Sequence, residues 1–356
     1  MAGSWTKRIV LGLALFCGAR AHAAAETSID DGNRQWISQA GVAQERIWAV
    51  VDEALLSYAL DGSDAQTLIP QGVIDLDTHG GDAWALRYFD NGGVRPATFS
   101  ALHWTGAAFE ASPTLTMLWG DWPIALVADD GAPMVVAPHN LYRLDGHVWR
   151  AKPLSAELGW SEHAVHVLAG GRLYLGFDNG EWGGGLRSID LTSGRVEEIE
   201  NYDPVTPCSG PLYSQCTPIT SLIADAERPG CVLAAAGLVH FLSHGAVLSV
   251  CGANAKVVLE REFGSDADDD ESKIRMSEAF YGLAPADDGY WAITPWDLYH
   301  VRPGGRLARV PLVLRQSNGL VMQRPVPELL VLQTDIRARV SLSGATPLVV
   351  PVPASH

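Results

Sequence analysis

Several common signatures of function are missing from this sequence. Its 356 residues include five cysteines, and none of them forms the C-x-x-C pair of a zinc or redox site. The chain has no G-x-S-x-G, H-E-x-x-H or P-loop motif, so the patterns typical of many hydrolases, metalloproteases and nucleotide-binding proteins are lacking. Basic residues are also scarce, with 25 Lys and Arg against 41 Asp and Glu. The formal net charge of −16 argues against nucleic acid or an anionic membrane surface as a partner.

Long apolar runs are missing too, apart from one short stretch near the N-terminus. Lys7 and Arg8 precede the apolar run 9–17, and Ala21-His22-Ala23 then supplies the small-x-small pattern that signal peptidase recognises. The run is about half of the roughly 20 residues that a membrane-spanning helix needs. We therefore predict a signal peptide at 1–23, cleaved near Ala23, and a periplasmic or secreted mature chain with no membrane span. The alternative is an uncleaved anchor.

Four cysteines remain after the expected cleavage. In an oxidising compartment, Cys208, Cys216, Cys231 and Cys251 are disulfide candidates that allow three pairings. We favour a bond between Cys208 and Cys216, because it would close a loop rich in Pro, Ser and Gly. Metal ligation is the weaker alternative, since the spacing lacks the Cys and His pairs of zinc sites.

A short module of strands and turns recurs from Arg46 onward. Residues 124–150 and 281–307 each contain a D-D-G turn, an apolar strand, a polar corner, a Leu-Tyr pair and a second glycine turn. Seven such modules fit into 46–352, which gives a period of about 44 residues, within the range of propeller blades. The other copies span 47–69, 73–110, 164–198, 219–250 and 319–352.

The module predicts an all-β fold. Apolar runs of four to eight residues bounded by Gly, Asp and Pro are typical of strands. Four short strands per unit at this period indicate a β-propeller, in which stacked blades cover the faces that a lone sheet would expose. We predict one monomeric propeller of seven four-stranded blades at 46–356, preceded by a lead-in at 24–45. Six or eight blades remain open, and the alternative folds are a β-sandwich or two unrelated all-β domains.

Three units resemble the blades of a known group of proteins. They read IWAVVDEALLSYALDG at 47–62, PMVVAPHNLYRLDG at 133–146 and YWAITPWDLYHVRPGG at 290–305. These units are similar to blades of bacterial propellers of the two-component-regulator and quinoprotein-like kind. The resemblance covers nearly the whole mature chain and implies a propeller, but its motifs are core and turn residues. No catalytic residue is implied by it, and the docking motif of pyrroloquinoline quinone propellers is absent.

The connections of the modules differ in length. If the strands of each blade are lettered A to D from the inside outward, the A–B and C–D turns are short, and we place the segment 243–245 among the latter. The B–C corners and D–A links are long and irregular, and both should emerge on the same side of the disc. Loops on a rigid scaffold commonly carry binding chemistry, so we predict a binding surface on that side. The alternative is drift in unconstrained loops.

Several aromatic and polar residues fall in these long connections. An exposed tryptophan offers a flat apolar platform that stacks on sugars, cations or peptide side chains. For each tryptophan the alternative is packing between blades, which we predict for Trp48, Trp84 and Trp291. The run Gly183-Gly184-Gly185 indicates a sharp hairpin corner. The candidate ligand-binding residues are Trp182, Glu181, Trp296, Asp297, His139, Arg95, Trp119 and Trp122.

The sequence offers little for a metal or a cofactor. The acidic run Asp266–Glu271 offers oxygen ligands for Ca²⁺ as the weaker alternative, but it lacks the spacing and turn glycine of an EF-hand loop and is more typical of a solvated loop. His163 and His166 are three residues apart on a predicted strand, so they should point to opposite faces and make a poor ligand pair. His240 and His244 fall on the third strand of their module and its turn. We predict no metal site and no cofactor.

The sequence favours an exported propeller that binds a small molecule, a glycan or an envelope protein through its loop-rich face, without chemistry. One alternative is a hydrolase or lyase acting on a sugar or an ester. Its acid and base residues would have to converge near the central channel. Another alternative is a structural component of an envelope assembly. Catalysis therefore stays open.

Overall fold

Antiparallel strands joined by short turns make up the described part of the chain. The computed structural model describes residues 37–89, 96–129, 131–159, 161, 163–238, 243–262, 276–311, 319–323, 328–334 and 348–351. The predicted signal peptide, Arg95, His240 and the run Asp266–Glu271 lie outside these residues. Among the described residues, no helix has the length and apolar character that crossing a membrane requires.

The first three sheets, which we number as blades 1 to 3, lie between residues 37 and 153. Blade 1 contains β1 (Ile37–Ala43), β2 (Arg46–Val51), β3 (Ala54–Ala59) and β4 (Gln66–Ile69). Blade 2 contains β5 (Val73–Asp77), β6 (Trp84–Phe89), β7 (Thr98–Trp104) and β8 (Phe109–Ala111), with β9 (Leu115–Thr116) also paired to β7. Blade 3 contains β10 (Ala125–Asp129), β11 (Ala132–Val136), β12 (Asn140–Asp145) and β13 (Val148–Pro153).

The remaining sheets, blades 4 to 7, follow in chain order. Blade 4 contains β14 (His163–Ala169), β15 (Arg172–Asp178), β16 (Gly184–Asp190) and β17 (Val196–Ile199). Blade 5 contains β18 (Ile219–Ala224), β19 (Val232–Leu238), β20 (His244–Cys251) and β21 (Asn254–Leu259). Blade 6 contains β22 (Gly282–Ala286), β23 (Gly289–Ile293), β24 (Asp297–Arg302) and β25 (Arg306–Pro311). Blade 7 contains β26 (Gly319–Gln323), β27 (Glu328–Thr334) and β28 (Leu348–Pro351).

The sheets follow one another around a ring. The first strand of each blade contacts the first strand of the next, and β26 of blade 7 contacts β1 of blade 1. The predicted all-β propeller is therefore confirmed. The described residues form six blades of four or five strands and a seventh sheet of three, so the prediction of seven four-stranded blades is wrong. Six blades were among the open alternatives, and we keep the label blade 7 only as a name for the three-stranded sheet.

The second strands of the blades are buried on both faces, which explains why RIWAVV of β2 and VLAAAGL of β19 are nearly continuous apolar runs. In β2, Trp48 and Val50 pack into a cluster shared with blade 2, whereas Ile47, Ala49 and Val51 pack on the opposite face. This alternation follows from the two-residue period of a strand. Comparable apolar clusters join blades 2 and 3, 3 and 4, 4 and 5, and 5 and 6. Apolar contacts between neighbouring sheets thus stabilise blades 1 to 6.

Two boundaries differ from the sequence prediction. Blade 1 begins at Ile37, inside the segment 24–45 that we expected to be a lead-in. In blade 5 the third strand begins at His244, so the segment 243–245 belongs to the B–C corner and not to a C–D turn. The C–D turn falls at Gly252 instead, between β20 and β21.

Two disulfides are present. Cys208 and Cys216 are bonded as predicted, and Cys231 is bonded to Cys251. The second bond joins the start of β19 to the end of β20, next to the paired residues Val232 and Val250. One disulfide therefore closes a D–A link, whereas the other fastens two strands of one blade.

We expect the disulfide of blade 5 to contribute substantially to stability. Replacing Cys231 and Cys251 together by Ala should lower the free energy of unfolding by about 3 kcal/mol, the loop-entropy value for a closed segment of this length. Denaturant unfolding followed by tryptophan fluorescence measures the change. Equal unfolding midpoints for the variant and the oxidised wild type would contradict the prediction.

Candidate functional site

The long connections gather at one end of the strands. Because successive strands in each blade are antiparallel, the B–C corners and the D–A links leave the sheet at the same end. The A–B and C–D turns leave at the other end. We call the first end the loop-rich face and the second the turn face.

A buried carboxylate holds the link between blades 2 and 3 in place. Asp121 accepts hydrogen bonds from the backbone N–H of His139 (3.0 Å), the side-chain amide of Asn140 (2.7 Å) and the hydroxyl of Tyr142 (2.7 Å). The Tyr142 hydroxyl in turn accepts the backbone N–H of Leu118 at 2.9 Å. The turn that carries Trp119 is therefore fixed to the B–C corner of blade 3, and we call this unit the Trp119 corner (117–122 with 137–142).

The Leu-Tyr pair of the repeat has the same role in blade 6. The hydroxyl of Tyr299 donates to the Glu278 carboxylate at 2.8 and 2.9 Å, and Glu278 lies in the link that precedes this blade. Burial and the neighbouring carboxylate raise the pKa of Tyr299, just as burial and Asp121 raise the pKa of Tyr142. Both hydroxyls therefore stay protonated and available as donors. A motif that looked purely structural in the sequence thus anchors two links of the loop-rich face.

Three glycines let a second corner pack tightly against a disulfide loop. A Cβ on Gly183 would lie 2.4 Å from the backbone of Ser214 and Gln215, and one on Gly185 would lie 2.7 Å from the Ser214 Cα. The backbone N–H of Gly184 donates to the Ser214 carbonyl at 2.7 Å. We call this unit the Trp182 corner (180–185 with the disulfide loop 208–216). The predicted hairpin corner is confirmed, and the glycines permit close backbone approach.

Exposed apolar side chains concentrate on the loop-rich face. Trp119 is 81% exposed and Trp182 is 76% exposed, and Val205 in the link after blade 4 reaches 85%. Among the described residues, eight of the twelve large exposed apolar side chains lie in B–C corners or D–A links or at the strand ends beside them, namely Phe89, Leu118, Trp119, Trp122, Trp182, Tyr202, Val205 and Met276. The other four, Val148, Val257, Val258 and Leu307, lie on outermost strands.

The other predicted site residues occupy different environments. His139 and Glu181 are exposed on the loop-rich face, and Trp296 is half-buried. Trp122 packs edge-on against Phe99, at a ring separation of 5.3 Å. Asp297 is the exception to the expected exposure, because its carboxylate is buried and is paired with Arg309 at 2.7 Å. It belongs to the packing of blade 6.

The tryptophans of the second strands form the core, as predicted. Trp48, Trp84 and Trp291 are all buried. Trp84 stacks on His103 and Trp291 stacks on His300, in both cases at 4.3 Å between ring centroids. The repeat thus reuses one cross-strand aromatic pair in blades 2 and 6.

A cluster of histidine and aspartate lies away from the loop-rich face. Asp77 ends the first strand of blade 2, and His79 follows in the A–B turn, where its Nδ1 lies 2.6 Å from the Asp77 carboxylate. His166, on the first strand of blade 4, places its Nε2 3.8 Å from the same carboxylate oxygen. Asp75, two residues before Asp77, is buried beside them. We call these four residues the Asp–His cluster.

The carboxylates of the cluster also complete the edge of blade 3. Asp75 and Asp77 accept hydrogen bonds from the backbone N–H groups of Leu126 and Ala128 on β10. Burial raises the pKa of Asp75 to about 6. Burial also opposes the ionisation of Asp77, but the imidazoles of His166 and His79 outweigh it and hold the pKa of that carboxyl well below its ordinary value. The cluster therefore combines an ionised carboxylate with two imidazoles.

Sequence reasoning missed this cluster because its members come from two blades. His166 was considered only with His163, whereas its neighbours in space are His79 and Asp77. One local signal was available, since Asp75 and Asp77 share one side of the first strand of blade 2 and His79 follows two residues later in the turn. The enzymatic alternative required acid and base residues that converge near the mouth of the central channel, whereas this cluster of histidines and carboxylates lies on the first strands toward the turn face.

Comparisons with known proteins bear on the fold. No protein-family profile matches the chain, and no curated protein matches its sequence. Solved structures do match it. YCF48 bound to D1 peptide has a TM-score of 0.57 at 14% identity, over 91% of this chain and 94% of that one. Virginiamycin B lyase from Staphylococcus aureus has a TM-score of 0.53 at 9% identity, over 84% and 92%.

A third structure is the extracellular domain of BT4673 from B. thetaiotaomicron. It has a TM-score of 0.51 at 14% identity, and the match covers 84% of this chain but 37% of that one. The chain is a β-propeller. At the level of the fold, its predicted resemblance to bacterial propellers of the two-component-regulator and quinoprotein-like kind is confirmed. Because these structures have different functions in their names, the likeness concerns the propeller fold alone.

The Trp119 corner should depend on Asp121. We expect Asp121→Ala to lower the free energy of unfolding by about 2–3 kcal/mol, because it leaves buried donors of Asn140 and Tyr142 unpaired. Trp119→Ala in the same turn should change it by less than about 0.5 kcal/mol, since its side chain is exposed. Thermal and denaturant unfolding of both variants measures the difference. Equal losses in the two variants would refute the anchoring role.

Proposed function

We propose that this propeller is an exported, non-catalytic binding protein whose loop-rich face recognises a peptide segment of another protein. The observation that carries the proposal is the concentration of exposed apolar side chains on this face, with Trp119 and Trp182 foremost. Exposed apolar groups gain free energy when a partner covers them, and tryptophan is among the residues that contribute most to binding.

The anchoring of the two corners supports this proposal. Trp119 lies in a turn that the buried carboxylate of Asp121 holds by hydrogen bonds. Trp182 lies in a corner that packs against the disulfide loop. A platform that is already held in its binding geometry loses little conformational entropy when a partner binds. Loops that had merely drifted would not need such fixed supports.

The surface also suggests the chemistry of the partner. Aliphatic side chains, Leu118 and Val205, are exposed on the face with the tryptophans, and such groups suit a peptide better than a glycan. Glu181 beside Trp182, Asp203 and Glu260 are exposed acidic residues of the same connections. We therefore expect the recognised segment to carry apolar and basic side chains. YCF48, which shares the fold, is known in a peptide-bound structure.

We further propose that the protein binds its partner after export from the cytoplasm. Two disulfides are typical of proteins that fold in an oxidising compartment. One structural neighbour is an extracellular domain. The expected signal peptide at 1–23 and the choice between periplasm and secretion remain predictions. A glycan or small-molecule ligand, an envelope assembly and an enzymatic role likewise remain alternatives.

A peptide library tests the proposal directly. We would pan a phage-displayed library of random peptides against the mature protein and synthesise the selected sequences. Calorimetry should then show that the double variant Trp119→Ala/Trp182→Ala binds them at least tenfold more weakly than the wild type, because the double variant lacks both aromatic platforms.

A matched control comes from the outermost strands. Leu307 is exposed but lies on β25, away from the loop-rich face, so Leu307→Ala should leave peptide affinity unchanged. Unchanged melting temperatures would show that all variants are folded. Selected peptides that bind the double variant as tightly as the wild type would contradict the proposal, as would a library that yields no binder.

A further inference from the structure

The Asp–His cluster has a geometry that its hydrogen bonds do not fully explain. One ligand atom each from Asp77, His79 and His166 lies within 4.8 Å of the other two. The side chain of His166 is 8% exposed, and its Nε2 is buried without a hydrogen-bond partner among the described residues. A buried imidazole nitrogen with no partner is costly, because it has lost water without gaining a replacement.

The Nε2 atom of His166 lies near the Asp77 carboxylate but does not form a hydrogen bond with it. The 3.8 Å between His166 Nε2 and Asp77 Oδ1 is too long for a hydrogen bond. Ligand atoms around a tetrahedral zinc ion, with bonds of about 2.0–2.1 Å, are about 3.3 Å apart. An ion between the two residues would therefore need only small side-chain movements.

The remaining ligand is adjustable. The side chain of His79 is half exposed, in the turn after β5, so its ring can rotate away from its present 2.6 Å contact with Asp77. It also gives the cluster a route to solvent by which an ion could enter. The rings of His79 and His166 already lie 5.2 Å apart.

The carboxylate ligand is fixed by its surroundings. Asp77 accepts the backbone N–H of His79 at 2.9 Å and that of Ala128 on the neighbouring blade. Hydrogen bonds of this kind orient metal ligands in known sites. Asp75 adds a second buried carboxyl next to the cluster, and its negative form would favour a bound cation.

We propose that Asp77, His79 and His166 form a binding site for a divalent first-row transition metal ion, best matched by zinc. Two imidazoles and one carboxylate suit zinc and its neighbours, and leave a fourth position for water. Calcium and magnesium need more oxygen ligands than these three residues supply. The site joins blades 2 and 4 across the first strand of blade 3, and it is independent of the binding proposed for the loop-rich face.

Zinc titration of the full mature chain tests the site. The protein, free of affinity tags, is treated with a chelator, dialysed and titrated by calorimetry in a buffer that does not bind metals. We expect one equivalent of zinc to bind at micromolar or lower concentration, and calcium and magnesium to give no saturable heat. Cobalt should give the visible absorption of a tetrahedral complex.

The variants separate this site from adventitious binding. His79→Ala removes a half-exposed ligand without opening a cavity, so it should weaken zinc binding at least tenfold and leave the circular dichroism unchanged. His147→Ala removes an exposed histidine from a turn on the same face and should bind zinc like the wild type. His166→Ala should abolish the site if it folds. Zinc bound equally by His79→Ala and the wild type, or no saturable zinc binding at all, would overturn the proposal.

Discussion

The structure depends on the burial of both faces of each four-stranded sheet. The inner strands are apolar on both sides, as Trp48 and Ile47 show on adjacent positions of β2, so an isolated sheet would expose apolar side chains to water. Stacking the sheets around a ring covers these faces, and the clusters between successive blades provide the core. The same arrangement brings the long connections to one end, where some of their side chains are exposed and available for binding.

Polar contacts fix the edges of the first strands and the links between blades, which apolar packing alone does not hold in one position. The first strand of each blade has a free edge, whose N–H groups need partners. In blade 3 these partners are the carboxylates of Asp75 and Asp77 from the preceding blade, and in blade 6 the hydroxyl of Ser221 accepts the N–H of Leu283. Tyrosine–carboxylate pairs hold the incoming links in the same way. Contacts between blades therefore set both the ring and the corners on its loop-rich face.

The sequence predicts those features that repeat within one module. The blades could be inferred before the structure, because turn glycines, the Leu-Tyr pair and the buried Trp84 and Trp291 recur at similar spacing. The bond between Cys208 and Cys216 could be inferred as well, because it closes a loop rich in Pro, Ser and Gly. What a single module does not contain could not be inferred. Trp182 is exposed whereas Asp297 is buried, and this difference depends on the links that pack beside them. The Asp–His cluster likewise combines residues of blades 2 and 4. The three strands of the last sheet were not predicted either, because the segment 319–352 was counted as one of seven equivalent modules.

The two corners present Trp119 and Trp182 as a preformed surface for a partner. Oxidative footprinting with mass spectrometry, on the free protein and on its complex with a selected peptide, measures the exposure of both side chains. We expect these two tryptophans to be oxidised faster than the buried Trp48, Trp84 and Trp291 in the free protein, and to be protected in the complex. Slow oxidation of Trp119 and Trp182 in the free protein, or oxidation that the peptide does not change, would contradict this expectation.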